Sequence, residues 1–226
     1  MPQTVSSARF RLYLISDRRL AAAGGGLIST IEAALAGAAD SNSPGAVAVQ
    51  LREKDLDARE LYELALALRP ICTRFGAPLL VNDRIDVAIA AGADGAHLAS
   101  NSFTIADARV LLGPGRFIGI STHSAEEVAM AAAHGADFAV FGPIYDPLSK
   151  GAYGPAKGLT ALADAVKAAE GMPLYALGGI NRVRAGEIAA LPPSTRPTGV
   201  AAIGAVFGTS TPAVAARELI EALQAK

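Results

Sequence analysis

Eight apolar runs of strand length recur along the chain, at residues 11–16, 45–51, 77–82, 95–98, 116–121, 136–142, 172–178 and 198–204. Between them lie segments with apolar residues at helical spacing, such as Leu61, Leu64, Ala65, Leu68 and Cys72 after the second run, or Val128, Ala131 and Ala132 after the fifth. Strands that are apolar throughout, each followed by a helix, belong in a parallel sheet covered on its outer face. Eight such units predict closure into a single (β/α)8 TIM barrel of the α/β class, with a doubly wound open sheet as the competing arrangement. The composition agrees, since 51% of residues are apolar but only 5% aromatic, which suits small-residue helices packed closely on a sheet.

Helix starts fall where this division needs them. Ser124 precedes Glu126 and Glu127, Thr104 precedes Asp107 by three residues, and Asn181 stands before the seventh helical segment. No Ser/Gly/Pro linker interrupts the pattern, so residues 1–226 read as one domain, with 1–10 as a flexible N-terminal extension. The longest irregular connection, 143–158, follows the sixth strand, and its length predicts a lid.

Charge narrows the partners. Twenty basic residues against 21 acidic ones leave a net charge of -1, so no broad footprint for nucleic acid or an anionic membrane is expected, and any phosphate binding must be local. The single cysteine, Cys72, excludes an internal disulfide and a multi-cysteine metal site, and reads as helix packing. With no long uncharged apolar run and no apolar stretch at the start, the expected location is cytoplasmic.

In a barrel of this kind the active site lies at the carboxyl ends of the strands. The residues there are strongly polar: Asp17 after the first strand; Gln50, Arg52, Glu53 and Lys54 at the second; Asn82, Asp83 and Arg84 at the third. His97 and Ser102 follow at the fourth, Ser121 and His123 at the fifth, Lys150 in the lid, Gly178 and Gly179 at the seventh, and Gly204 at the eighth. Gln50, Arg52 and Lys54 alternate, so an extended chain points all three to one side, where two cations and an amide suit a pyrophosphate. The plainer alternative is a surface run paired with Asp55 and Asp57. Asp83 has two readings, a carboxylate ligand to Mg²⁺ or the N-cap of the third helix. Gly178, Gly179 and Gly204 suit a phosphate held on backbone amides, or ordinary turns. Of the histidines, His97 reads as a core residue, His123 as the better placed for proton transfer, and His134 as structural at a helix end.

Taken in order, the motifs VQLREK, VNDRIDVA, ADGAHL, GISTHSAEE, ADFAVFGPIY, ALGGI and GVAAIGAVF resemble those of the thiamine-phosphate synthase family, whose fold includes the TenI-type thiazole tautomerases. The resemblance implies a barrel that joins a hydroxymethylpyrimidine pyrophosphate to a thiazole phosphate, giving thiamine phosphate and pyrophosphate. By position, Gln50, Arg52, Lys54, Asn82, Ser121 and Lys150 would hold the pyrimidine and its pyrophosphate, Asp83 the Mg²⁺, and Gly179, Ile203 and Gly204 the thiazole phosphate. The implied chemistry needs no strong protein base: pyrophosphate departs, and the thiazole nitrogen captures the pyrimidine cation left behind.

Three departures accompany the resemblance. Ser102 stands where the family's synthases carry a second acidic Mg²⁺ ligand, a charge that Asp146 or Glu53 would have to replace. The lid keeps Lys150 and one hydroxyl, Ser149, and a phosphate-binding serine at the eighth strand is Gly204. A TenI-type tautomerase acting without metal through His123, and a non-catalytic relative that binds thiamine phosphate, are the alternatives to the synthase. In each case the partners are small phosphorylated pyrimidine and thiazole compounds, and assembly as a homodimer is left open.

Overall fold

The computed structural model describes residues 8–41, 45–99, 101–146 and 154–224. A strand with no exposed position needs partners on both edges and cover on both faces, and the eight apolar runs find this by pairing in sequence order around a ring. β1 (Leu12–Ile15), β2 (Val47–Leu51), β3 (Leu79–Asn82), β4 (Gly95–Leu98), β5 (Phe117–Thr122), β6 (Phe138–Phe141), β7 (Leu174–Leu177) and β8 (Gly199–Ala202) form a closed, all-parallel barrel. The ring closes where Leu12 lies opposite Val200 and Leu14 opposite Ala202, which decides between the barrel and the open sheet.

The outer layer comprises α1 (Leu27–Ala39), α2 (Ala58–Arg74), α3 (Ile85–Ala90), α4 (Ile105–Leu112), α5 (Ala125–Ala133), α6 (Gly158–Ala168), α7 (Arg182–Ala189), α8 (Gly204–Phe207) and α9 (Pro212–Gln224). Thr104, Ser124 and Asn181 cap α4, α5 and α7 through their side chains, as their positions predict. None of the helices among the described residues is long and apolar enough to cross a membrane. Cys72 is buried in α2, and burial pushes its thiol up to about 12, which agrees with a packing role.

Side chains alternate between two cores. The outward set packs under the helices, while Tyr13, Ile15, Ala48, Leu80, Phe138, Val140, Tyr175 and Ala201 fill the interior. Ala8 and Phe10 join that inner cluster, so the expectation of a flexible extension over 1–10 fails for residues 8–10. The Phe10 ring stacks on Tyr175 at 4.4 Å and meets Phe138 edge-on at 5.3 Å. Tyr175 donates its hydroxyl proton to the carbonyls of Ala8 and Phe10, at 3.1 and 3.0 Å. These contacts make the segment the floor of the barrel.

The same lower end carries two matching clamps. Asp94, just before β4, accepts from the Leu79 amide at 2.8 Å and from Arg69 at 2.5 Å. Asp137, just before β6, accepts from the Ile118 amide at 2.6 Å and from Arg109 at 2.6 Å. Each carboxylate thus ties an upstream strand to the helix that crosses beneath it.

Because Phe10 packs as core, Phe10→Ala is expected to lower the free energy of unfolding by about 3–5 kcal/mol, read from chemical denaturation. A change within about 0.5 kcal/mol, the range of a surface position, would return residues 8–10 to the status of an extension.

Candidate active site

At the carboxyl ends of the strands the inward-pointing positions turn from apolar to polar. Gln50, one pleat above Ala48, is buried and donates from Nε2 to Asn82 Oδ1 at 3.4 Å. Asn82 passes the contact on, donating from Nδ2 to Asp83 Oδ2 at 3.2 Å. Asp83 Oδ1 accepts from the Ala99 amide at 2.9 Å, and the Asp83 amide donates to the His97 carbonyl at 2.9 Å. An amide, a second amide and a carboxylate are therefore linked across the ends of β2, β3 and β4.

Asp83 is not the cap of α3. Its φ is 56°, the left-handed region that aspartate tolerates better than most side chains. The cap position belongs to Arg84, which makes no side-chain capping bond. The carboxylate is instead held between the strand ends, with lone pairs left beyond its two bonds. Among the described residues no group of three or more His, Cys, Asp or Glu could hold a metal. Mg²⁺ keeps most of its water and is commonly taken up by one or two carboxylates plus substrate phosphate, so a single Asp83 fits an ion that arrives with a pyrophosphate.

The strand of β2 ends at Leu51, so strict alternation does not extend to Lys54, which stands exposed in the following turn. Arg52 and Lys54 nonetheless line one concavity of about 230 Å³ with Ser16, Asp17 and Arg19. The predicted surface pairing is not what Asp55 and Asp57 do. Asp55 binds Arg18 and Arg19 at 2.7 and 2.8 Å, and Asp57 caps α2 in a capping box with Glu60. Glu53 does not supply a spare charge either. It is buried, accepting from the Ser16 hydroxyl at 2.5 Å and from the Arg18 amide at 3.2 Å. Burial raises its pKa, against the lowering effect of those two donors. Its role is to tie the loops after β1 and β2 together.

His97 is buried in the core, as its position reads, yet it links the barrel floor to the rim. It is buried on β4, its Nε2 lies 3.0 Å from Ser121 Oγ on β5, and its Nδ1 lies 3.3 Å from the Tyr13 hydroxyl on β1. Burial pushes its pKa down to about 3, with Asp83 opposing and Arg52 assisting, so the ring is neutral. The available signal was the alternation of Gly95, His97 and Ala99, which turns the imidazole inward. Its partners come from register and are not written in spacing.

His123, by contrast, stands apart from this set. It is exposed, its Nδ1 lies 3.0 Å from the Gly142 carbonyl, and its amide donates to Glu127 at 2.6 Å. Beyond Thr122 the chain turns into α5, so the alternation that would carry His123 inward is broken. The ring borders a concavity of about 390 Å³ with Ser124, Phe141, Lys157 and Asp164, beside α5 and α6. His134 closes α5 by bonding the Met130 carbonyl at 2.6 Å, a structural role as expected.

On the other side of the rim, Gly178 and Gly179 adopt φ of 105° and 62°. The Ile144 and Tyr145 amides donate to the carbonyls of Leu177 and Gly178, so the base of the loop after β6 lies against this turn. A Cβ on Gly178 would come within 2.6 Å of Pro143 Cα. Arg184, stacked 4.6 Å over Tyr145, donates to the Gly179 carbonyl at 2.6 Å. Ile203 caps the short α8, and Gly204 opens it with no atom within 4 Å of where a Cβ would stand. Ser102 is half-buried in a turn, its amide donating to the Ala99 carbonyl at 3.1 Å. Ser149 and Lys150, and the lid expected over them, lie outside the described residues.

A sequence model of the thiamine monophosphate synthase family matches residues 12–206, nearly the whole barrel. The chain belongs to that family. A thiamine-phosphate synthase of Methanoculleus marisnigri is 40% identical over 216 residues, 96% of each chain. A Geobacter sulfurreducens relative, whose name gives the same activity only provisionally, is 47% identical over 214 residues, covering 95% of this chain and 94% of that protein. The solved thiamine phosphate pyrophosphorylase of Pyrococcus furiosus superposes with a TM-score of 0.80 at 32% identity, covering 96% of this chain and 97% of its own.

Two rim glycines should answer substitution in opposite ways. Gly178→Ala, strained by its φ and meeting Pro143, is expected to destabilise by about 1–3 kcal/mol. Gly204→Ser enters open space and is expected to shift stability by no more than about 0.5 kcal/mol. Thermal unfolding of the two variants beside the parent checks both.

Proposed function

We propose that this chain is a thiamine-phosphate synthase. It would join a hydroxymethylpyrimidine pyrophosphate to a thiazole phosphate. The C–O bond to the pyrophosphate breaks with its electron pair leaving on oxygen, and the thiazole nitrogen lone pair forms the new C–N bond. The observation that carries the reading is the linked Gln50–Asn82–Asp83 set beside Arg52 and Lys54, facing the Gly178–Gly179 turn across one barrel mouth. The activity named for relatives at 36–47% identity supports it.

The roles follow from the donors available. Gln50 and Asn82, both neutral amides, suit the edge of the pyrimidine ring, where paired donors and acceptors read a heterocycle. Arg52 offers a planar fork and Lys54 a mobile point charge to the departing pyrophosphate, where negative charge grows in the transition state. Gly178 and Gly179 bring backbone within reach of the thiazole phosphate, and Gly204, without the hydroxyl of a serine, supplies an amide alone. Asp83 would be the protein ligand to Mg²⁺, which when bound neutralises part of the pyrophosphate's charge. Holding the two substrates in contact supplies the remaining acceleration, so no proton-abstracting residue is required.

Tautomerase action through His123 draws no support from the relatives, and the hydrogen-bond partner of that ring is the Gly142 carbonyl rather than a residue at the mouth. A cytoplasmic location, and small phosphorylated substrates in place of nucleic acid, go with the synthase reading and with the net charge of -1.

The direct test incubates the protein with both substrates and Mg²⁺ and measures thiamine phosphate and pyrophosphate. Stoichiometric formation of both is expected. No product at high protein concentration would sink the synthase, and tight calorimetric binding of thiamine phosphate in its place would leave the non-catalytic relative. Arg52→Ala is expected to lower kcat by about 10²–10³-fold, as for loss of one donor to a developing anion. For Asp83→Asn, the Mg²⁺ concentration giving half-maximal rate should rise. An unchanged Mg²⁺ dependence would remove Asp83 from the metal.

A further inference from the structure

The interior of a barrel this size is normally packed with apolar side chains, yet here a tyrosine and a histidine connect the floor to the rim. Tyr13 is fully buried among Phe10, Phe138 and Tyr175. The described partner of its hydroxyl is His97 Nδ1, at 3.3 Å. His97 Nε2 lies 3.0 Å from the hydroxyl of Ser121, which points inward from β5. Gly119, on the same face of β5, makes room for the ring. A Cβ there would fall 2.7 Å from His97 Nδ1 and 2.3 Å from Phe138 Cζ.

We propose that Tyr13 and His97 are positioning residues that fix the Ser121 hydroxyl as a hydrogen-bond donor to a lone-pair acceptor on the substrate, an inference that rests on the synthase reading above. The sense of the chain follows from its buried end. A donor left unmade in an apolar interior costs more than an acceptor left unmade, because an oxygen has a second lone pair but a hydroxyl has only one proton. Tyr13 therefore gives its proton to Nδ1. A neutral imidazole that accepts at Nδ1 carries its proton on Nε2, and Nε2–H donates to Ser121 Oγ. Ser121 then has its own proton directed to a third group. In the reversed sense Ser121 would donate inward, Nδ1–H would donate to the Tyr13 oxygen, and the phenol proton would face the rings of Phe10, Phe138 and Tyr175. The aromatic floor thus selects the outward sense. The group served is an acceptor at the mouth, a ring nitrogen of the pyrimidine or an oxygen of its pyrophosphate.

A double-mutant cycle separates this role from packing. Tyr13→Phe removes only the hydroxyl at the start of the chain, and is expected to lower kcat about tenfold in the parent protein. In the Ser121→Ala background the same substitution should change kcat by less than about twofold, since the group it orients is gone. The loss in Tm caused by Tyr13→Phe should be the same in both backgrounds. An equal fall in kcat with and without Ser121 would overturn the proposal and leave Tyr13 as core packing. Nitrogen-15 NMR of the unliganded parent protein gives a second reading that does not depend on turnover. Protonated Nε2 and bare Nδ1 at His97 are expected, and protonated Nδ1 would overturn the proposal. A parent protein that makes no thiamine phosphate would defeat the synthase reading, while the NMR result still decides the direction of the chain.

Discussion

The backbone pairing of β8 with β1 is the contact on which the rest depends. Leu12 opposite Val200 and Leu14 opposite Ala202 turn a row of parallel strands into a ring. Once the ring is closed no strand has a free edge, every carboxyl end opens on one rim, and every helix returns the chain to the other. The polar residues after β2, β3 and β5 are far apart in sequence. Pairing of adjacent strands makes Gln50 a neighbour of Asn82 and His97 a neighbour of Ser121, and closure of the ring turns both pairs toward one interior.

Much of this was legible from periodicity. The four residues GAHL form β4 as read, and the caps at Thr104, Ser124 and Asn181 stand where a polar residue precedes a helical segment. Those features are local, and local chemistry suffices to write them. Phe10 shows the limit. An isolated aromatic before the first apolar run carries no period, and its burial follows from a ring on β7 that it stacks against. Asp83 shows another: Asn-Asp before a helix looks like a cap, and only the Ala99 amide, reaching over from the end of β4, draws the carboxylate elsewhere. Glu53 differs from expectation for the same reason, and the partners of His97, buried as its position reads, are equally hidden in the sequence. Ser16 and Arg18 claim one, Tyr13 and Ser121 the other, and each partner lies on a different strand or loop.

Ser102, a neutral residue, follows the fourth strand, and the charged groups around the mouth have other engagements. Asp83 keeps its amide partners, Glu53 is engaged with the first loop, and Gly204 leaves an open space beside the eighth strand. Among the described residues, Asp83 is fixed at the ends of β3 and β4, and the cations Arg19, Arg52 and Lys54 gather with Asp17 on the loops after β1 and β2. The opposite side, with Gly178, Gly179 and Ile203, offers backbone and apolar surface.

The clamps at Asp94 and Asp137 bear on how such a rim can vary. Both carboxylates take a strand amide and a helix arginine at the lower end of the barrel, one pair of strands apart. Rigidity is thereby anchored at the end remote from the chemistry, in two copies of one small device. Residues at the mouth, such as Ser102 and Gly204, can change identity while the scaffold beneath them keeps its shape. A lineage could re-tool the upper face one side chain at a time without rebuilding the foundation.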